Sequence, residues 1–126
     1  MRGQAGNDNF SVMLNEVQTG SARDATILSG GAGADTILGG RGDDVIGGPG
    51  GADHLFGGED NEALKGDAAD DSLSGGLGAD VLFGGFGRDT LVGNAGADTL
   101  IGAENKDLFD GGRTMTVCSA ARGSIF

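Results

Sequence analysis

Acidic side chains recur at a fixed interval of nine residues through most of this 126-residue sequence. Carboxylates are oxygen ligands of the kind that hard divalent cations prefer. Their type and regular spacing therefore suggest metal binding as the first chemistry to consider. The nine acidic residues are Asp35, Asp44, Asp53, Glu62, Asp71, Asp80, Asp89, Asp98 and Asp107.

These acidic residues belong to a nine-residue repeat that runs without insertion from Gly30 to Asp110, after which Gly111 opens an incomplete tenth unit. Counted from Gly30, position one is glycine, position six is acidic and position eight is apolar in all nine units. A merely solvated acidic face would have no reason to keep this phase with glycine. The position-eight residues are Ile37, Ile46, Leu55, Leu64, Leu73, Leu82, Leu91, Leu100 and Phe109.

Each unit describes a glycine-rich turn followed by a strand of about three residues. Glycine supplies the positive φ and the close backbone approach that tight turns require. Because side chains alternate along a strand, position eight can face inward while positions seven and nine face outward. Two units then complete one coil, and units 18 residues apart stack as parallel strands. The sequence thus predicts an all-β parallel β-roll with a core one residue wide.

Stacking places the position-six carboxylates in two columns, whose like charges repel each other. A calcium ion between consecutive turns relieves this repulsion, because calcium accepts six to eight oxygens from carboxylates and carbonyls, whereas magnesium demands tighter geometry. Softer metals are disfavoured, since His54 and Cys118 are single residues. The gaps within the columns allow up to seven calcium ions. One column contains Asp35, Asp53, Asp71, Asp89 and Asp107, and the other contains Asp44, Glu62, Asp80 and Asp98.

The gaps beside Glu62 are expected to be strained or to lack an ion. In its unit, GGEDNE, Asp60 stands at position four, where glycine is typical. In the next unit, GDAADD, Asp67 and Ala69 replace the glycines of positions two and four.

The units GGAGAD, GGLGAD and GGFGRD resemble the calcium-binding repeats of the RTX (hemolysin-type) family, and the resemblance covers residues 30–110. It implies that six residues of each unit form a calcium-binding turn and three form a strand of a right-handed parallel β-roll. It also implies export by a type I system with an uncleaved C-terminal signal, and folding in extracellular calcium. In this family the roll usually serves a neighbouring catalytic or toxin domain.

Composition narrows the function classes further. The formal net charge of −11 disfavours nucleic acid and anionic membranes as partners, and no apolar stretch is long enough for a transmembrane helix. The N-terminus does not read as a cleavable signal peptide. With one histidine, no HExxH and no GxSxG, the chain is expected not to be an enzyme. His54 is expected to be a solvated surface residue and Cys118 an incidental thiol.

Residues 1–29 are expected to be degenerate repeats or a cap, residues 30–112 the β-roll, and residues 113–126 an irregular tail without a recognisable export signal. An alternative function is an adhesive or carbohydrate-contacting extracellular module, although Trp and Tyr are absent. More apolar residues are expected on the outer faces than a lone module needs, so a missing domain, a second copy or the folded-back ends are candidate partners. These outward residues are Leu38, Val45, Phe56, Leu77, Val81, Phe83, Phe86, Val92 and Ile101.

Overall fold

The computed structural model describes residues 6, 9–11, 25, 27–112 and 117–120, which form two six-stranded sheets. The first sheet contains, in spatial order, β1 (Asn9–Ser11), β3 (Thr36–Arg41), β5 (His54–Glu59), β7 (Ser72–Leu77), β9 (Thr90–Ala95) and β11 (Leu108–Asp110). The second contains β2 (Ile27–Ser29), β4 (Val45–Gly47), β6 (Ala63–Ala68), β8 (Val81–Phe86), β10 (Thr99–Ala103) and β12 (Val117–Ala120). Among the described residues there is no helix that could cross a membrane.

Every strand pair is parallel, and consecutive strands of the chain lie in opposite sheets. Residues 18 apart pair with each other, as Leu55 does with Leu73. The predicted parallel β-roll with two units per coil is therefore confirmed. Strand β1 departs from this register, because Phe10 pairs with Ile37, 27 residues later.

The strands are longer than the predicted three residues. Strands β5 to β9 each contain six residues, because positions one to three of the following unit remain in the sheet. Strand β4 ends after three residues. Pro49 stands at position two of the next unit, where it has no N–H to offer the neighbouring strand. The turn proper is thus shorter than the expected six residues.

Position eight forms the core, as predicted. The inward side chains make one continuous apolar column, and no member of it is more than 9% exposed. Since the side chains alternate, position one and position six also face inward, and the interior has three residues per unit. The buried apolar residues are Leu28, Ile37, Ile46, Leu55, Leu64, Leu73, Leu82, Leu91, Leu100 and Phe109.

Position four has a left-handed backbone in all nine units, and position two has one in every unit except that of Pro49. All described non-glycine residues with positive φ occupy one of these two positions, and three of them, Asp60, Asp67 and Ala69, are in the two units at Glu62 where strain was expected. Four of the six are Asp or Asn, which tolerate this conformation better than other residues with a side chain. They are Asp60 (φ 88°), Asp67 (72°), Ala69 (85°), Asn94 (74°), Ala103 (75°) and Asn105 (76°).

The segments outside the regular repeats contribute strands to both sheets. Strand β12 lies within the segment expected to be an irregular tail, and it pairs with β10 so that Cys118 is opposite Leu100. Strands β1 and β2 lie within the segment expected to be a cap or degenerate repeats. The domain boundaries at residues 29 and 112 stay predictions.

Candidate metal centre

The nine position-six acids lie immediately before the strands, in two columns along the two rows of turns. All nine are inside the roll, with at most 3% of each residue exposed. Such burial is unusual, since ionised Asp and Glu are rarely buried without partners. Each carboxylate must therefore find its partners within the stack. The acids are Asp35, Asp53, Asp71, Asp89 and Asp107 in the first column and Asp44, Glu62, Asp80 and Asp98 in the second.

One oxygen of six of the stacked aspartates is used to join neighbouring coils. The N–H of Asp53 donates to Oδ1 of Asp71 at 2.9 Å, and the N–H of Asp80 donates to Oδ1 of Asp98 at 3.0 Å. The same bond, between 2.8 and 2.9 Å, links the position-six residues of four more pairs of coils. These pairs are Asp35 with Asp53, Asp71 with Asp89, Asp89 with Asp107, and Glu62 with Asp80.

The second oxygen of these carboxylates has no hydrogen-bond partner although it is buried. This holds for Oδ2 of Asp53, Asp71, Asp80, Asp89 and Asp98. Glu62 differs, because both of its carboxylate oxygens are buried without a hydrogen bond. A buried charged oxygen without a partner is costly. Such oxygens recur regularly in both columns, which is the pattern expected of ligands for a row of cations.

The position-one glycines make the room for these oxygens. At Gly84, whose φ is not positive, an added Cβ would collide with Oδ2 of Asp89. At Gly39 it would lie 2.6 Å from Oδ2 of Asp44. Glycine at position one is therefore required by close contacts with the carboxylate and, at Gly39, also with the carbonyl oxygen of Gly57, and not by the backbone conformation.

Burial raises the pKa of several of these acids. The pKa of Asp53 and of Asp89 rises to about 6, and that of Asp71 to about 8. In each case the loss of hydration outweighs the hydrogen bond from the neighbouring N–H, and the adjacent carboxylates of the column add repulsion.

Glu62 has the highest of these pKa values, about 9. Burial is the main cause, and repulsion from Asp80 comes next. A hydrogen bond that the protonated Glu62 side chain shares with Asp80 follows, ahead of repulsion from Asp44 and Asp60. The pKa of Asp80 is raised as well, first by burial. The carboxylates of Glu62 and Asp80 are thus the most strongly interacting pair of the second column.

The sequence matches the family of the RTX calcium-binding nonapeptide repeat (4 copies) over residues 23–55, 56–91 and 83–113. This chain belongs to that RTX repeat family. Membership implies calcium binding, and the residues fit calcium, because both columns contain buried carboxylate oxygens without partners, for which the position-one glycines make room. Neither a curated protein nor a solved structure matches the chain.

In this RTX module the carboxylates come as neighbours in a column and not as compact clusters. No three side chains of His, Cys, Asp or Glu among the described residues gather as a set of metal ligands. Calcium takes six to eight oxygens. If the carboxylates hold calcium, the carbonyl groups of the glycine-rich turns and water would supply most of the ligands, and the carboxylates would provide the charge.

A second, outer series of polar side chains was not recognised from the sequence. At position five, Asp43 accepts a hydrogen bond from the N–H of Asn61 (3.0 Å), and Asn61 accepts one from Ala79 (2.8 Å). In the other row of turns, Asp70 accepts one from the N–H of Arg88 (2.8 Å). These side chains lie in the outer part of the turn and join coils 18 residues apart. Asp or Asn at position five was the signal that could have revealed them.

The residues set aside as chemically unimportant lie on the outside or beyond the described side chains. His54 stands at position seven and is exposed, as predicted. The backbone of Cys118 lies in β12, and its side chain is outside the described part of the structure. Among the nine apolar residues predicted to face outward, Phe83, Val92 and Ile101 are half-buried and the other six are exposed.

Proposed function

We propose that this RTX module folds on binding calcium through its nine position-six carboxylates, and that it supports the secretion or stability of a parent protein outside the cell. The observation that carries the proposal is the series of buried carboxylate oxygens without partners. Bound calcium supplies positive charge between consecutive turns. The chain supplies the aligned carboxylates, the position-one glycines that make room for them, and the N–H bonds that fix one oxygen of six of the aspartates.

Calcium dependence follows from the thin core. A single apolar column offers little burial to offset the entropy of ordering the chain, and the net charge of −11 opposes compaction. Extracellular calcium modules bind at roughly 10⁻⁴ to 10⁻³ M. Such affinities would leave the chain unfolded in a cytosol and folded outside the cell.

The test is a calcium titration followed by far-ultraviolet circular dichroism, with a magnesium titration as the control. We expect a cooperative transition from coil to β-structure that calcium causes and magnesium does not. A spectrum that stays coil-like in millimolar calcium, or that responds equally to magnesium, would contradict the proposal.

The column arrangement predicts how many ions each substitution removes. Asp89 borders two gaps of its column, whereas Asp107 ends the column and borders one. We therefore expect Asp89→Asn to lower the calcium bound at saturation by two ions and Asp107→Asn by one, measured by equilibrium dialysis. Asn can still accept the hydrogen bond through its Oδ1, so the comparison isolates the charge. Equal losses in the two variants would count against shared sites.

An exposed apolar surface supports the further proposal that the module packs against a catalytic or toxin domain or a second copy. Ile27, Val45, Ala63 and Val81 follow one another at position seven of the second sheet, and with Phe83 they line a shallow groove of about 440 Å³. Larger exposed apolar patches commonly mark interaction sites. A chain that stays monomeric by sedimentation at high concentration in calcium would rule out the second copy.

A further inference from the structure

Glu62 departs from the other position-six residues in how it uses its carboxylate. In the aspartates, Oδ1 accepts an N–H from the neighbouring coil, as Oδ1 of Asp80 does from the N–H of Glu62 itself at 2.9 Å. Glu62 accepts no such bond. When it is ionised, both Oε1 and Oε2 are buried without a partner, and when it is protonated, it shares a hydrogen bond with the Asp80 carboxylate. The residue as a whole is only 2% exposed. The Glu62 side chain is one methylene longer than that of aspartate, and neither of its oxygens accepts the N–H bond that joins neighbouring coils.

Glu62 borders two gaps of its column, and the gap that it shares with Asp80 is the better candidate for a calcium site. Of the two neighbours in the column, Asp80 acts on Glu62 more strongly than Asp44 does. Oδ2 of Asp80 is also buried without a partner. The Glu62–Asp80 gap therefore offers three such oxygens, whereas the Asp53–Asp71 gap offers two.

Other parts of the same turn lie close to the Glu62 carboxylate. A Cβ on Gly57 would lie 2.8 Å from Oε2 of Glu62, and it would also collide with the carbonyl oxygen of Gly75. The carboxylate and this carbonyl from the next coil are therefore beside the same glycine. The charge of the ligands and the rigidity of the site tune calcium affinity in proteins, and the EF-hand loop includes a glutamate that binds calcium with both oxygens.

We propose that the gap between Glu62 and Asp80 is the tightest calcium site of the roll, with Glu62 as a bidentate ligand. This inference rests on the proposed calcium binding and reverses the expectation that the gaps beside Glu62 lack an ion. That expectation came from Asp60, Asp67 and Ala69 at glycine positions, and the turns accept all three with positive φ.

The test is the release of calcium from the folded chain into excess chelator, measured by stopped-flow fluorescence. Affinity differences between related sites lie mostly in the dissociation rate. We expect one ion per wild-type chain to leave at least about tenfold more slowly than the others. In Glu62→Asp, which restores the ordinary aspartate, the slow ion should be lost while the total number of bound ions is unchanged.

The control is Asp71→Asn, in the other column, where burial is similar. This variant should release fewer ions in total but keep the slow one. Calcium could also leave slowly from a site only because the site is central in the roll. Glu62→Asp changes neither the position of the site nor the net charge, so a loss of the slow ion in this variant reports on the glutamate side chain. A slow ion that survives in Glu62→Asp, or its absence from the wild type, would overturn the inference. A wild-type chain that binds no calcium at all would instead overturn the proposed function.

Discussion

At the scale of single residues, the position-one glycine and the position-six acid form one functional unit. The glycine has an ordinary backbone conformation, yet a side chain there would occupy the place of the carboxylate oxygen. The period alone suggested that glycine serves the turn. The contact between positions one and six, five residues apart, shows that at this position it serves the carboxylate.

We expect Gly84→Ala to destabilise the calcium-bound roll by about 1–3 kcal/mol, because the new Cβ must displace the Asp89 carboxylate. The midpoint of the calcium titration should move to higher concentration. Gly47→Ala is the matched control, since Gly47 has no positive φ and no heavy atom within 4 Å of an added Cβ. Similar midpoints for the two variants would show that the carboxylate does not need this space.

At the scale of strands and turns, the repeat tolerates substitutions at positions two and four at a cost in backbone strain. Ala69 and Ala103 carry that cost without the local hydrogen bonding that Asp and Asn can provide. The polar residues at position five offset part of it, because they satisfy N–H groups of neighbouring turns.

Replacing Ala69 with glycine should stabilise the calcium-bound roll by about 0.5–1 kcal/mol, because a residue without Cβ adopts φ of 85° without strain. Ala68→Gly, one residue earlier in strand β6, should destabilise it by a similar amount, since glycine weakens a strand. Urea unfolding in saturating calcium measures both. Destabilisation by Ala69→Gly would mean that the left-handed conformation at this position is not a source of strain.

At the scale of the whole molecule, the two columns make folding depend on charge. The pKa values of Asp53, Asp71, Asp89 and Glu62 are raised in the folded chain above their ordinary values of 3.8 and 4.5. A group with a raised pKa stabilises the fold in acid, and that stabilisation is lost as the pH rises through the folded value. The same carboxylates must be ionised to bind calcium.

The calcium-free chain is therefore expected to gain β-structure in acid and to lose it as the pH rises from about 4 to about 9, where the highest of these groups titrates. In saturating calcium the fold should persist at neutral and alkaline pH, because calcium takes the place of the protons on the carboxylates, and the two curves should converge in acid. Circular dichroism across this range, with and without a chelator, measures both curves. A calcium-free chain whose β-structure does not decrease as the pH rises would contradict the buried carboxylate columns.

The sequence by itself determined the period of nine, the inward apolar residue, the acidic columns and hence the parallel roll. These features repeat in every unit, so each unit gives independent support for the same pattern. The alternation of side chains along a strand depends only on neighbouring residues, so it can be read from the sequence. The family resemblance rested on the same residues and was confirmed over 23–113.

Only the tertiary structure decided which contacts form between residues 18 apart. It extended the strands into the glycine positions, divided the two oxygens of six of the aspartates between an N–H and the space beside a glycine, and gave Glu62 two oxygens without a partner. It also paired Val117–Ala120 with β10, although their unit lacks the acidic residue of the repeat. These features arise where one coil packs on the next, and their geometry depends on neighbours that no single unit contains.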